Sequence, residues 1–213
     1  MFSCDVASIY ITPLPALQTA NESMETPLLV VNDSTKKSLL GIPEWLAQIN
    51  DDISRALERG VNIRQLVTAR ACAIDELLSS LFLWFELEQT DLALFAIGGY
   101  GRGELSLYSD VDILLLAPTL ITPEVSSKID RLVAMLWDVG LEPALAVRSV
   151  NDCLEAASDH TIASSLLEAR LLIGNEDLKE TPTAVVNKLW SQREFYDAKI
   201  EEAKNRYLQH NAT

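Results

Sequence analysis

The sequence is poor in cysteine and histidine. Of 213 residues, three are Cys and two are His. Cys4, Cys72 and Cys153 are scattered, and none forms a Cys-x-x-Cys pair. That spacing excludes a disulfide framework and does not indicate a zinc or thioredoxin-like site. Reduced thiols in a cytoplasmic protein are the expectation. Positive charge is also scarce, with 17 Lys and Arg against 31 Asp and Glu, a net −14. Sequence-independent binding to DNA or RNA runs on phosphate neutralisation by Lys and Arg, so no nucleic-acid partner is expected. The same deficit disfavours anionic membranes. A single nucleotide remains open, since a few local cations or a metal suffice for it. Long apolar runs are missing too. Leu92–Tyr100 and Val111–Leu120 are each about half of what a membrane span needs, so no membrane segment is expected. Met1–Ala20 carries Asp5 and no basic segment ahead of an apolar block, so no secretory signal is expected there. What is present is ordinary for a globular protein: 48% apolar and 23% charged residues. The length fits one domain, or one core with helical flanks.

Four stretches follow from the patterning. Residues 1–41 are rich in Ser, Thr, Asn and Pro and read as a loosely structured arm. Residues 42–88 read as two helices. Pro43 suits a first helical turn, and Leu46, Ile49, Ile53 and Leu57 recur at helical spacing up to Gly60. The second helix, from about Asn62 to Glu88, carries Leu66, Leu77, Leu78, Leu81 and Phe85. Residues 89–150 form the core. Asp91–Ile97 and Val111–Ala117 read as buried strands, and a glycine-rich turn that opens a short helix lies between them. An amphipathic helix with Ile129, Leu132, Val133, Leu136 and Trp137 comes next. Leu141–Val150 reads as a third strand, and Pro143 makes it an edge or a bulge. Residues 151–213 read as helical throughout, one segment over Thr161–Leu172 and a polar one from Thr183. The last pattern runs to residue 213 without a stop, so the chain is expected to be a fragment of something longer.

The chemistry is concentrated in Ile97–Leu116. Gly98-Gly99 follows the first strand directly, and Ser109-Asp110-Val111-Asp112 opens the second. One residue separates Asp110 from Asp112, so on a strand both carboxylates face one side. Adjacent ionised carboxylates repel unless a cation joins them. Magnesium suits the site, because it takes few protein carboxylates and completes its shell with substrate phosphates. Glycines let the backbone approach a triphosphate and offer it N–H donors. Arg102, in the same loop, is a candidate phosphate contact. Competing glycine motifs fail. There is no G-x-x-x-x-G-K-[ST], and Gly99–Gly103 reads G-x-G-x-G where a dinucleotide fingerprint needs G-x-G-x-x-G.

The Gly-Gly, ten-residue, Asp-x-Asp arrangement resembles the signature of the DNA polymerase β-like nucleotidyltransferase superfamily. The string FAIGGYGRGELSLYSDVDILLL is similar to the N-terminal domain of bacterial PII uridylyltransferase/uridylyl-removing enzymes. The similarity runs on through LWDVGLEPALAVRSVNDCLEAASDHTIASSLLEARLLIGN and covers roughly residues 42–213. It implies an α+β fold, a small mixed β-sheet nucleotidyltransferase core flanked by N- and C-terminal helices. It also implies a nitrogen sensor that transfers UMP from UTP to a tyrosine of the PII signalling protein. By resemblance, Asp110 and Asp112 are catalytic metal ligands for Mg2+ or Mn2+, and Gly98 and Gly99 are nucleotide-binding. The family pattern after the third-strand Glu is Glu-Val-Gly-His-Ser-Val-Arg, whereas here residues 142–148 read Glu-Pro-Ala-Leu-Ala-Val-Arg. Glu142 matches the third carboxylate, as metal ligand or base, against an ordinary strand-end Glu. Removal of UMP by such enzymes resembles phosphohydrolysis by an HD domain. Neither His160 nor His210 begins a His-Asp pair, so that part is not expected in this chain.

Other residues carry two readings. Ser109 bonds the triphosphate or caps the strand. Arg148 and Arg170 bind phosphate or form surface ion pairs. Tyr100 and Tyr108 stack on the base or pack. Trp45, Trp84, Trp137 and Trp190 read as packing residues, and Asp51-Asp52 and Glu201-Glu202 as solvated helix faces. Two further functions stay open: transfer to another acceptor or of another base, as in adenylyltransferases, and a degenerate nucleotide-binding regulatory module.

Overall fold

The structure, a computed structural model, describes residues 8–9, 31–32 and 41–211. Most of the N-terminal arm therefore lies outside the described residues. Its two described pieces, β1 (Ser8–Ile9) and β2 (Val31–Asn32), pair antiparallel.

Two helices come first. α1 (Ile42–Glu58) has Pro43 in its first turn and buries Ile42, Leu46, Ile49 and Ile53. α2 (Ile63–Trp84) is capped by Asn62, whose side chain accepts from the Arg64 amide. The second helix thus ends four residues before the expected Glu88, and a 3-10 turn (Leu87–Gln89) follows. Ile49, Ile53 and Ala56 of α1 pack on Leu66 and Ala73 of α2.

The core is a four-stranded mixed sheet in the order β5-β4-β3-β6. β3 (Ala93–Ala96) pairs antiparallel with β4 (Val111–Ala117) and with β6 (Arg170–Gly174). β5 (Pro143–Ser149) runs parallel to β4 at the sheet edge. Pro143 lacks a ladder N–H and is tolerated there because it opens an edge strand. Alternating residues of β3 and β4 serve two different cores. Leu94, Ala96, Ile113 and Leu115 face α2 and α4 (Pro123–Asp138). Ala93, Phe95, Leu114 and Leu116 face α5 (Val150–Ala156), α6 (His160–Leu167) and α7 (Thr181–Leu189). Burial on both faces explains why these strands read as continuous apolar runs. The mixed sheet with helical flanks agrees with the α+β expectation.

Three expectations are corrected. Residues 151–213 are not helical throughout. The helix expected over Thr161–Leu172 ends at Leu167, and Arg170–Gly174 becomes β6. The expected polar helix divides into α7 and α8 (Gln192–Asn211), where a reciprocal pair of Ser191 and Glu194 hydrogen bonds starts the second. Trp137 is 56% exposed, because Ile129, Leu132 and Leu136 form the buried stripe of α4 and Trp137 lies one step round the helix. Glu202 is no solvated face residue. It receives Lys199 at 2.6 Å and Arg206, and lies 3.4 Å from His160 Nε2 on α6. Among the described residues, no helix is long and apolar enough to cross a membrane.

Candidate nucleotidyl-transfer site

The site grows from the ends of two paired strands. The Ile97 amide donates to the Asp112 carbonyl at 3.0 Å, one step past the β3–β4 ladder. That bond brings the start of the next segment beside Asp112. The segment is α3 (Gly98–Gly101), a single turn entered from extended Ile97. Gly98 has a φ of +59°, where a side chain is strained, and a Cβ there would lie 3.4 Å from Asp112 Oδ2. Gly98 is therefore favoured by its backbone, and a Cβ there would come into contact with the carboxylate.

Asp112 is partly buried on the face shared by Leu114 and Leu116. Burial pushes its carboxyl above the ordinary range, and the nearby charge of Asp110 pushes it further. The paired carboxylates expected from spacing are thus together. Asp112, whose ionisation is disfavoured by burial and by the charge of Asp110, suits a cation, which relieves both. Glu142 stands differently. Asp112 is the register partner of Ala144, and Glu142 lies two residues before Ala144. The two-residue period assigns it to the face of Asp110 and Asp112. Its side chain is exposed ahead of β5, and the Val111 amide takes its carbonyl at 3.1 Å. Among the described residues no group of three His, Cys, Asp or Glu is gathered closely enough to hold a metal. The aspartates fit a metal as a pair, and the third carboxylate is not drawn in with them.

The loop cations have other partners. Arg102 pairs with Glu168 at 2.6 Å and with Glu104 at 3.1 Å. Ser109 Oγ donates to the Ser106 carbonyl at 3.0 Å, which makes it a turn-former. Arg148 is in register with Leu116, four residues beyond Asp112, or about 13 Å along the strand. That distance removes it from the site. Tyr100 is buried, whereas Tyr108 is 97% exposed beside Ser109 and Asp110, so the packing reading fails for Tyr108.

The ion-pair reading of Arg170 holds, and the structure adds a role in supporting this loop that the sequence did not show. Arg170 of β6 donates to both oxygens of Asp75 on α2, at 2.8 and 3.1 Å. It also donates to the carbonyls of Gly101 and Tyr100, and its guanidinium lies 5.7 Å from the Tyr100 ring. Burial opposes the charge of Arg170, but Asp75 more than restores it. Burial, then the charge of Asp75, drives the Tyr100 hydroxyl far above its ordinary value. Gly101 permits the close approach of this turn to residue 168, since a Cβ there would lie 2.0 Å from the Glu168 carbonyl oxygen. One signal was present in α2, where Asp75 interrupts a buried stripe of Leu66, Ala71, Ile74, Leu77 and Leu78.

No family model matches the chain. Known proteins do. The bifunctional uridylyltransferase/uridylyl-removing enzyme of Psychrobacter arcticus is 69% identical over 215 residues, covering 100% of this chain and 23% of that protein. The enzyme so named from Psychrobacter sp. (strain PRwf-1) is 56% identical, covering 100% of this chain and 22% of its own length. The one from Acinetobacter baylyi is 42% identical over 84% of this chain and 20% of its own length. The chain thus spans less than a quarter of the length of these curated relatives. Among solved structures, a toxin–antitoxin with AMP-PNP aligns at a TM-score of 0.36 and 13% identity, covering 61% of this chain and 98% of that one. Identity of this degree, over 84% to 100% of the chain, makes it a homologue of the N-terminal domain of the bifunctional uridylyltransferase/uridylyl-removing enzymes.

Proposed function

We propose that this chain is a metal-dependent nucleotidyltransferase domain. It moves UMP from UTP to a tyrosine hydroxyl of the PII signalling protein, and pyrophosphate leaves. The observation that carries the reading is the positive-φ Gly98 opposite the Asp112 carboxylate, with Asp110 beside it.

Asp110 and Asp112 would hold Mg2+ or Mn2+, and Glu142 is proposed as the third carboxylate on the same face. When bound, such a metal supplies charge neutralisation for the triphosphate and the leaving pyrophosphate. The chain's own residues do the rest. Gly98 and Gly99, without Cβ atoms, let the triphosphate reach the backbone. Arg102 can meet a phosphate by exchanging its exposed pairs with Glu104 and Glu168, which costs little because surface pairs are weak. Ser109 holds the turn that delivers Asp110. UTP and PII are proposed from the kind of enzyme the relatives are. Uridylyl removal is not proposed for this chain, given its lack of a His-Asp pair.

The test is transfer from labelled UTP to PII by wild type and by Asp110→Asn. Loss of an electrostatic stabiliser of this kind costs about 10²–10³ in rate. The variant should lose that much while its circular dichroism is unchanged. Activity within tenfold of wild type in a folded Asp110→Asn protein refutes the assignment. The unassembled Glu142 and the ion-paired Arg102 favour a second reading, a nucleotide-binding module without turnover. Magnesium-dependent UTP binding with no transfer would select it.

A further inference from the structure

We infer that Arg70 is a positioning residue for Asp110, acting through the Ser106 carbonyl. It lies outside the motif, one helix away, and is 5% exposed. Burial lowers its affinity for the proton, since a guanidinium removed from water holds its charge less readily. Its guanidinium is directed to neutral acceptors. Nη1 donates to the Ser106 carbonyl at 2.7 Å and Nε to Asn50 Oδ1 of α1 at 3.3 Å.

The Ser106 carbonyl is the pivot of the turn that ends in the aspartates. It also accepts from the Ser109 amide at 3.3 Å and from Ser109 Oγ at 3.0 Å. Ser109 is bonded covalently to Asp110. Charge-assisted hydrogen bonds are the shorter and stronger kind, and the Arg70 bond is the shortest of the three. A second link runs beside it: the Leu105 amide donates to the Val67 carbonyl, one turn earlier on α2, at 3.3 Å. Residues 106–110 are mostly exposed and belong to no helix or strand. Their position is therefore set by these few bonds and by Leu107, which is partly buried against the α1–α2 cluster. Local regions with few buried contacts open most easily, so removing the strongest bond should loosen this segment before any other.

The other end of the motif has its own arginine. Arg170 holds the Tyr100 and Gly101 carbonyls, so the two guanidiniums divide the loop. Arg70 governs the aspartate end and Arg170 the glycine end. The consequence for magnesium rests on the proposed function, whereas the consequence for loop order does not.

The experiment is amide hydrogen exchange on the 213-residue chain without ligand, for wild type, Arg70→Met, Arg70→Lys, Asn50→Ala and Arg170→Met. It is paired with UTP binding titrated against Mg2+. Met keeps the length of the stem, Lys keeps the charge without the fork, and Asn50→Ala leaves Arg70 in place should its loss prevent folding. Arg70→Met should speed exchange over 105–110 about tenfold, with β3 and β4 unchanged. Asn50→Ala should do so more weakly, and Arg70→Lys should restore part of the protection. Arg170→Met should act on 98–103 instead. In Arg70→Met the Mg2+ needed for half-saturation with UTP should also rise about tenfold, with less effect on UTP affinity at saturating Mg2+. Exchange unchanged over 105–110, or raised equally across the sheet, overturns the inference. If the exchange pattern appears but wild type binds no UTP with Mg2+, the loop assignment stands and the proposed function fails.

Discussion

Gly99 and Gly101 are two residues apart, and alanine should have opposite effects at them. A Cβ on Gly101 would sit 2.0 Å from the Glu168 carbonyl oxygen, 2.9 Å from its carbon and 3.0 Å from the Ala96 carbonyl oxygen. All three are backbone atoms, so no side chain can swing away. Ordinary contact begins near 3.4 Å, so the turn and residue 168 must part by roughly 1.4 Å. The parting also pulls on the Arg170 bond to the Gly101 carbonyl. Overpacking costs about 1–3 kcal/mol, and a clash between backbone segments belongs at the upper end. Helix propensity returns up to about 1 kcal/mol. The net is a loss of about 2–3 kcal/mol, or about 4–12 °C in Tm for a chain of this size. On Gly99 the added Cβ would meet Glu104 O at 3.5 Å and Arg102 Nη2 at 3.6 Å, which is ordinary contact. Gly99→Ala should leave Tm unchanged or raise it slightly, yet weaken UTP binding by covering the backbone. Differential scanning calorimetry gives the first quantity and isothermal titration the second. A Tm of Gly101→Ala within about 2 °C of wild type refutes the steric reasoning. So does Gly99→Ala destabilising as much as Gly101→Ala.

Two further outcomes are expected. The Asp112 carboxyl titrates higher folded than unfolded, so its stability contribution is fully present below the unfolded value and is lost as pH rises through the folded one. Asp112→Asn should therefore raise Tm at pH 7 without metal, the gain should fade as pH drops toward 4, and a Tm below wild type at pH 7 would contradict the repulsion argument. Arg170→Met should destabilise by about 1–3 kcal/mol in urea, less than a fully buried pair, because Arg170 and Asp75 are 37% and 24% exposed. Adding Asp75→Asn should recover part of the loss, since a carboxylate without its partner costs more than a neutral amide, and a double variant no more stable than Arg170→Met would show that Asp75 is not the group left exposed to the cost.

The legible parts of the chain were those where local pattern and tertiary role coincide. β4 is apolar, bounded by Asp and Pro, and buried on both faces, so its limits could be read without a partner. Pro43, Asn62 and Gly60 mark helix ends by backbone chemistry that acts within a turn. β6 was not legible, because Arg170–Gly174 holds only three large apolar residues, Leu171, Leu172 and Ile173, close behind a helix, and periodicity does not separate so short a strand from a helical continuation. Pairing with β3, 70-odd residues earlier, decides it. The exposure of Trp137 and the role of Glu202 were hidden for the same reason, since each depends on which face a distant element covers.

The site divides along the same line. Gly98, Gly99, Asp110 and Asp112 announce themselves because their chemistry needs fixed residue types at fixed spacing on one loop and one strand. Alternation along β4 is a local property of an extended chain, so it assigns Asp112 to the face of Leu114 and Leu116 without a fold, whereas Asp110 lies one residue before β4, in the turn that Arg70 ties to α2. Whether Glu142 joins them is a question of how far apart two strand ends lie, and spacing along the chain carries no such distance. The same holds for Arg70 and Arg170. Their guanidiniums reach carbonyls 36 and 69 residues away, and backbone carbonyls have no identity in a sequence. Residue types and short-range geometry thus belong to the sequence, while partners separated by long stretches of chain exist only once the helices and the sheet have packed.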